Sequence, residues 1–136
     1  MANRKIDEIE GIGPSYAEKL SGAGITNTDQ LLELCCTKKG RASVAEKTGI
    51  SESKILDWAN MADLFRIKGV GPEFAELLEA AGVDTVKELR NRNAANLAVK
   101  LAEVNEQKKL TRTVPSEDMV SGWVEQAKEL PPTIEH

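Results

Sequence analysis

Apolar residues recur along this chain at helical spacing, three or four positions apart. Two such faces run through its longer segments: Ile55, Ala59, Ala62 and Phe65, and then Val120, Trp123, Ala127 and Leu130. Pro131 and Pro132 follow the second face and predict where its helix ends, because proline cannot continue a helix. No segment alternates apolar and polar residues as a half-buried strand does. The pattern therefore predicts an all-α fold.

The hydrophobic pattern also repeats on a larger scale. "IEGIGPSYAEKL", from Ile9 to Leu20, returns 58 residues later as "IKGVGPEFAELL", from Ile67 to Leu78. Farther on the likeness is fainter, but after a seven-residue insertion Trp58 aligns with Trp123, so that both tryptophans of the chain occupy one repeat position. A repeat of this length indicates a duplicated structural unit.

The limits of the first helices are marked in the same way in both repeats. Pro14 and Pro72 suit the first position of a helix, while Gly24 and Gly82 suit the left-handed residue that ends one. The next helix start is also written twice, as Asn27 followed by Gln30 and as Thr85 followed by Glu88, both with capping-box spacing. Each repeat is thus predicted to be helix, turn, helix and further helices.

The repeat predicts the organisation of the chain and its core. The first repeat with its connecting helices would cover residues 1–65 and the second, with a C-terminal helix, residues 66–136. Together they suit one compact unit. Tyr16 and Phe74 occupy equivalent positions, so we expect both to be buried and to form a core with Trp58 and Trp123.

Composition narrows the possible partners and location. The chain carries 18 basic and 22 acidic residues, a formal charge of −4, so any binding of nucleic acid has to be local. No apolar run approaches the roughly 20 residues needed to span a bilayer. Cys35 and Cys36 are adjacent, which disfavours a disulfide between them and favours two thiols in a reducing compartment, most simply the cytoplasm.

The repeated turn carries the strongest functional signal. A glycine on each side of one aliphatic residue allows positive φ and close approach of the backbone to another surface. The helix that follows offers unpaired N–H groups and the positive end of its dipole, which suit a backbone phosphate. The pattern apolar-x-Gly-apolar-Gly-x-x-x-Ala, matched from Ile9 to Ala17 and from Ile67 to Ala75, resembles the helix-hairpin-helix motif.

From Arg4 to Leu130 the chain is further similar to a bacterial family of small tandem helix-hairpin-helix proteins known as a domain of unknown function. This resemblance implies a helical bundle of the SAM-like, (HhH)2-like kind, with two helix-hairpin-helix repeats related by pseudo-two-fold symmetry. Helix-hairpin-helix modules bind DNA without sequence preference through hairpin amides and nearby Lys or Arg. Some hold a monovalent cation on hairpin carbonyls, so such a cation is the one cofactor that the resemblance allows.

Carried over residue by residue, the resemblance assigns DNA-backbone binding to both hairpins. The residues that it implies are Gly11, Ile12, Gly13, Ser15 and Lys19 in the first, and Arg66, Lys68, Gly69, Val70 and Gly71 in the second. Ser15 and Lys19 suit a phosphate, but Glu10 lies beside them. In the second hairpin Lys68 suits one, whereas Glu73 occupies the first turn of the helix. Its carboxylate there either competes for the amides or simply satisfies the helix dipole.

Other basic groups and a second motif give weaker signals. "KKGR" at 38–41, "RNR" at 90–92 and the basic residues at 108, 109 and 112 could extend a phosphate track, although basic helix ends are common on solvated surfaces. "VAEKTGISESKILDWA" has the spacing of a helix-turn-helix, yet the helix that would read bases offers only Lys54. We interpret it as a structural turn in which Ser51 or Ser53 caps the next helix.

The sequence gives little support to an enzyme. The only histidine is the last residue, His136, and two adjacent cysteines match neither a zinc nor a redox spacing. Cys35 and Cys36 are better interpreted as one core and one boundary residue at a helix end. We therefore expect a non-catalytic module that binds the DNA backbone weakly, with no membrane and no small-molecule substrate. The alternative is a protein-interaction adaptor that keeps the fold without the DNA contacts.

Overall fold

The computed structural model describes residues 3–135 of the chain, and within this range it contains helices but no strand. A short 3-10 turn at Ile6–Glu8 precedes the helices. They are α1 (Pro14–Gly22), α2 (Thr28–Cys35), α3 (Lys38–Thr48), α4 (Glu52–Leu64), α5 (Pro72–Ala80), α6 (Val86–Leu89), α7 (Ala94–Lys108) and α8 (Glu117–Glu129). The prediction of an all-α fold is confirmed. His136 lies outside the described residues.

The chain divides into two compact units. The N-terminal unit comprises residues up to Asp63, with α1 to α3 and nearly all of α4, together with residues 133–135 from the end of the described chain. The C-terminal unit comprises residues 64–132, with α5 to α8. The last described residues therefore belong with the first part of the chain rather than with the second.

The N-terminal unit is built around aliphatic side chains from the inner faces of its helices and from the turn between α1 and α2. Those without measurable exposure include Leu20, Ile25, Leu31 and Ile55. The predicted face of α4 is confirmed, since Ala59 and Ala62 are buried with Ile55. Removing such a side chain from water stabilises a fold by roughly 1.5–3 kcal/mol.

The C-terminal unit has a core of its own. Phe65, Ile67, Leu77, Leu78, Leu89 and Leu101 are almost completely buried. Val120, Trp123 and Ala127 form the buried face of α8, as the spacing predicts, and Leu130 is half-buried just beyond the end of that helix. Helix α8 ends at Glu129, and Leu130 is its C-cap, so the helix stops one residue before the two prolines that were expected to terminate it.

The helix boundaries follow the sequence signals closely. Pro14 and Pro72 are the first residues of α1 and α5. Gly24 and Gly82 have the expected positive φ, but each lies two residues beyond the end of its helix, after an alanine cap. Ser51 Oγ accepts the Lys54 N–H at 3.3 Å, so it caps α4 as proposed.

The predicted capping boxes form by half. Asn27 Oδ1 accepts the Gln30 N–H at 2.8 Å, and Thr85 Oγ1 accepts the Glu88 N–H at 3.3 Å. The reciprocal bonds are absent at both described sites. Gln30 Oε1 accepts the Thr26 N–H at 2.8 Å instead, and the Glu88 carboxylate pairs with Arg92 at 3.1 Å. The N-cap side chain alone still satisfies one backbone N–H group at the start of each helix.

The C-terminal unit accommodates its extra residues in α7 and in the connection after it. Helix α7 has 15 residues, against 11 in α3, and it ends at Lys108; its C-cap residue, Lys109, adopts a left-handed conformation with φ of 51°. Asn105 then closes the connection, because its side-chain amide donates to Thr111 O at 3.1 Å while its Oδ1 accepts the Thr111 N–H at 2.9 Å. The connection is therefore pinned to the helix that precedes it.

Candidate functional site

The first hairpin, residues 9–15, is a tight turn held from beneath by two buried side chains. Ile9 and Ile12 are 1% and 4% exposed, and the Ile12 N–H donates to Ile9 O at 3.1 Å. Gly11 between them has φ of +93°, a region that other L-residues rarely adopt. Because Ile12 is anchored in the core, it can reach a ligand only through its backbone.

The second hairpin, residues 67–73, repeats this geometry. Ile67 and Val70 are buried, the Val70 N–H donates to Ile67 O at 3.1 Å, and Gly69 has the same φ of +93°. The carbonyls of Ile9 and Ile67 each accept one bond within the turn, and a carbonyl oxygen has two lone pairs. A monovalent cation would have to use such carbonyls. No cluster of three His, Cys, Asp or Glu side chains within residues 3–135 could hold a metal ion.

Both hairpins open directly into a helix that no side chain caps. Gly13 and Gly71 are the N-cap residues of α1 and α5, in extended conformation and without a side-chain hydrogen bond. The N–H groups of the second and third helical residues have no partner within a helix. In α1 the second residue is the exposed Ser15, whereas in α5 it is the exposed Glu73.

A tryptophan lies beneath each hairpin. A β-carbon placed on Gly11 would stand 3.6 Å from Trp58 Nε1, and one placed on Gly69 would stand 3.2 Å from Trp123 Nε1. The rings of Tyr16 and Trp58 meet edge to face, with centroids 5.2 Å apart. Glycine is therefore favoured at position 69 both by its φ and by the close indole, whereas at position 11 the φ is the reason, because 3.6 Å is an ordinary van der Waals distance.

The aromatic residue at the third position of α1 and of α5 packs on the tryptophan that lies beneath the hairpin of its own unit. Phe74 lies 5.3 Å from Trp123, centroid to centroid, as Tyr16 lies from Trp58 at 5.2 Å. Both tryptophans are buried, as expected. The expectation that Tyr16 and Phe74 are buried too is wrong in degree: each is half-buried, because it lies in the exposed first turn of its helix.

Two lysines converge on the first hairpin. The ammonium group of Lys19 lies 5.8 Å from the centre of the Tyr16 ring, and that of Lys54, from the first turn of α4, lies 5.9 Å from it. Sequence reasoning missed Lys54 at this site. The signal that could have found it is its spacing, since Lys54 precedes Trp58 by one helical turn and Trp58 was already aligned with the hairpin.

The second hairpin is fixed by contacts of its backbone and of Arg66. Gln126 of α8 grips the turn at Lys68, where its Oε1 accepts the Lys68 N–H at 2.9 Å and its Nε2 donates to Lys68 O at 3.2 Å. The Lys68 side chain is exposed. Arg66 is half-buried and donates to Pro131 O at 3.0 Å, so part of its donor capacity is used within the fold.

The two hairpins consequently differ in charge. Four corresponding pairs differ in charge or polarity: Glu10 and Lys68, Ser15 and Glu73, Lys19 and Leu77, and Lys54 and Met119, the last pair being counted from the tryptophans. Leu77 is part of the core and Met119 is exposed. The first hairpin therefore gathers two ammonium groups around its helix start, with the exposed carboxylate of Glu10 in the turn, while the second has the exposed Lys68 in the turn and the carboxylate of Glu73 at its helix start.

Several of the other basic residues serve the fold. Arg41, from the "KKGR" segment, is buried, and its guanidinium donates to the carbonyls of Cys35 at 3.0 Å and Cys36 at 3.1 Å. Arg90 donates to Lys128 O at 3.3 Å, and Arg92 pairs with Glu88 at 3.1 Å. These three arginines are consequently poor candidates for a phosphate track.

The cysteines occupy the end of α2. Cys35 is buried and Cys36 is half-buried, which confirms the prediction of one core and one boundary residue. Burial raises the pKa of the Cys35 thiol to about 11, against a smaller opposing effect of Arg41. A thiol held in its protonated form is a poor nucleophile.

These observations define the class of protein: its described residues form helices and contain two glycine turns. Each turn lies over a tryptophan and opens into a helix whose start has no side-chain cap. Residues 10–130 match the model of the family described as Domain of unknown function (DUF4332), and the chain belongs to that family. No curated protein and no solved structure matches the chain. No helix among residues 3–135 is long and apolar enough to cross a membrane.

Proposed function

We propose that the two hairpins are helix-hairpin-helix motifs duplicated within one chain, and that the protein is a non-catalytic module that binds the DNA backbone weakly and without sequence preference. The shared φ of Gly11 and Gly69, the prolines that begin α1 and α5, and the tryptophan below each turn support the duplication. The module is proposed to be non-catalytic, in keeping with the burial that raises the pKa of the Cys35 thiol and holds it protonated.

The observation that carries the DNA proposal is the charge around the first hairpin. Two ammonium groups lie within 6 Å of the Tyr16 ring, and Tyr16 is the third residue of a helix whose start has no side-chain cap. A phosphate at this start would meet N–H groups, the positive end of the helix dipole and two lysines at once. Sequence would not be read, because phosphate contacts carry no base information.

The second hairpin contributes less in this proposal. Lys68 is exposed and available, but Glu73 places a carboxylate beside the first amides of α5. DNA binding would then depend on few contacts, and the net charge of −4 adds a general repulsion. Weak binding follows from both features.

A salt titration tests the proposal. The full chain is titrated with a short fluorescent DNA duplex at several salt concentrations, and anisotropy reports binding. Each neutralised phosphate releases counterions, so few contacts predict a log–log slope of roughly two to four. A second duplex of unrelated sequence is expected to give the same affinity.

The alternative function, a protein-interaction adaptor, is favoured by the second hairpin. A shallow pocket lies against this hairpin and the start of α5, lined by Gly69, Gly71, Pro72, Glu73 and Phe74. Its lining is mainly apolar and has one carboxylate, which suits a protein surface better than a phosphate. If neither the wild type nor Glu73→Lys binds duplex DNA at low salt, the DNA proposal is wrong and the adaptor takes its place.

A further inference from the structure

The last described residues, 133–135, lie on the corner that α2 and α3 form in the N-terminal unit. Ile134 is 8% exposed, so its side chain is inserted into the unit rather than laid over it. The Glu135 N–H donates to Cys36 O at 2.7 Å. The segment is thus held by one side chain and by its backbone, which is how extended peptides are commonly bound.

A buried arginine completes the backbone contacts. Arg41 is 4% exposed, and its guanidinium donates to Cys35 O, Cys36 O and Glu135 O. A buried charge is costly unless it is hydrogen-bonded. The first two carbonyls come from the end of α2, where a cation is favourable, and the third comes from the peptide segment itself.

The carboxylate of the segment reaches the start of α3. The Lys38 N–H, at the first position of the helix, donates to Glu135 Oε1 at 3.1 Å, while the N-cap Thr37 Oγ1 accepts the Gly40 N–H at 3.0 Å. An anion is therefore seated at this helix N-terminus beside a nine-tenths buried arginine. The exposed side chains of Lys38 and Lys39 add positive charge around it.

We propose that this corner is a peptide-binding site for a short apolar–acidic segment of a partner protein, occupied in the isolated chain by residues 133–135. The site has a place for one apolar side chain, two backbone contacts and a seat for a carboxylate. The observed occupant supplies the chemistry of the partner: an isoleucine-like side chain followed at once by Glu or Asp. This site is separate from the hairpins and does not depend on the proposed binding of DNA.

Under this proposal, a partner segment must be able to replace the resident one. Ile134 supplies its buried apolar side chain, Glu135 makes three hydrogen bonds to the corner, and Pro131 and Pro132 precede it. A tethered ligand competes at an effective concentration of about a millimolar. A partner segment must therefore bind more tightly than the resident one or meet the site when the resident segment has left.

The first experiment releases the resident segment from the full chain. Ile134→Asp puts a charge where an apolar side chain is buried, and the probe is a fluorescent peptide with the sequence of residues 131–135. We expect the Ile134→Asp chain to bind the probe about tenfold more tightly than the wild type, because the tethered competitor is gone. A probe carrying the same Ile-to-Asp change is the control and is expected not to bind.

The second experiment removes one N–H group from the receptor. Lys38→Pro, made in the Ile134→Asp chain, deletes the donor to the carboxylate at a helix position where proline is well tolerated. Lys38→Ala is the matched control, since it loses the same side chain but keeps the N–H. We expect Lys38→Pro to weaken probe binding about tenfold relative to Lys38→Ala, the effect of one hydrogen bond to a charged group.

Three results would overturn the proposal. The first is equal probe affinity of wild type and Ile134→Asp, with circular dichroism showing both folded. The second is equal affinity of Lys38→Pro and Lys38→Ala. The third is a concentration-dependent dimer of the wild type that Ile134→Asp abolishes, which would assign the site to the tail of a second copy instead of to a partner protein.

Discussion

The indole nitrogen of Trp58 lies 3.6 Å from the point that a β-carbon on Gly11 would occupy, and Trp123 lies still closer to the corresponding point on Gly69, at 3.2 Å. Each tryptophan thus forms the floor of a turn whose glycine has φ of +93°. The pairing joins residues that are 47 positions apart in the first unit and 54 in the second. It explains why a single aromatic residue in a late helix of each unit accompanies the glycine turn at its beginning.

Alanine at either turn glycine is expected to destabilise the fold. The positive φ alone costs roughly 1–3 kcal/mol. Gly69→Ala should cost more than Gly11→Ala, since its β-carbon would come within 3.2 Å of the indole. Chemical denaturation followed by tryptophan fluorescence measures both. Gly22→Ala is the control: nothing lies within 4 Å of its added carbon, and it should stabilise α1 by about 0.5–1 kcal/mol.

Lys54 is expected to contribute to DNA binding as much as Lys19 does. Lys54→Gln removes one of the two ammonium groups near Tyr16, so the salt slope should fall by about one and affinity should drop equally for all sequences. The matched control is Lys47→Gln, because Lys47 is an exposed lysine in the last turn of α3 and the charge change is identical. Equal losses for both variants would mean that only net charge matters.

Replacing the carboxylate of the second hairpin is expected to tighten DNA binding. Glu73→Lys removes a competitor for the first amides of α5 and adds a cation beside Lys68. Glu103→Lys, on the exposed surface of α7, makes the same change in net charge and serves as the control. The reverse change, Lys68→Glu, should weaken binding for every duplex tested. A gain for Glu103→Lys as large as for Glu73→Lys would contradict a role for the hairpin.

The sequence predicted local structure well because the relevant signals are local. Proline positions, side-chain caps and apolar faces each act within one helix, and the structure confirms the start of α1 at Pro14 and the cap of α4 at Ser51. The sequence repeat added one long-range relationship, the alignment of Trp58 with Trp123. Both tryptophans proved to lie under the glycine of a hairpin.

What the sequence could not supply are contacts between distant segments made by polar side chains. Gln126 grips Lys68 across 58 residues, and Arg41 binds the backbone of Glu135 across 94. Neither contact can be recognised in the sequence, because a polar side chain that binds a backbone group does not require any particular residue type at the other position. Arg41 shows the error that results: the basic segment 38–41 suggested a phosphate track, but its arginine is buried.

The two thiols are expected to differ sharply in reactivity. At pH 8, Cys36 of the native protein should react with a thiol reagent such as DTNB much faster than Cys35, whose pKa is raised from 9.0 to about 11. The unfolded chain ionises Cys35 from about pH 9, while the folded chain keeps its proton. Folding stability should therefore fall between about pH 9 and 11, and Cys35→Ala should reduce that fall.

The measurement compares the two single variants. Cys36→Ser should remove the fast phase of labelling and Cys35→Ala the slow one, with the denatured chains as the reference for full reaction. Fast labelling of Cys36→Ser at pH 8 would contradict the protection of Cys35. Denaturant titrations at pH 8 and pH 10 then measure the loss of stability, as a difference between wild type and Cys35→Ala.

The closed connection after α7 confines the extra length of the C-terminal unit. From its turn glycine to its tryptophan this unit is seven residues longer than the N-terminal one, yet an indole still lies beneath the glycine. The paired hydrogen bonds of Asn105 and Thr111 hold the connection to the helix that precedes it. A change of length there leaves the contact between turn and tryptophan intact, so insertions are expected to be tolerated in this connection and not in the turn.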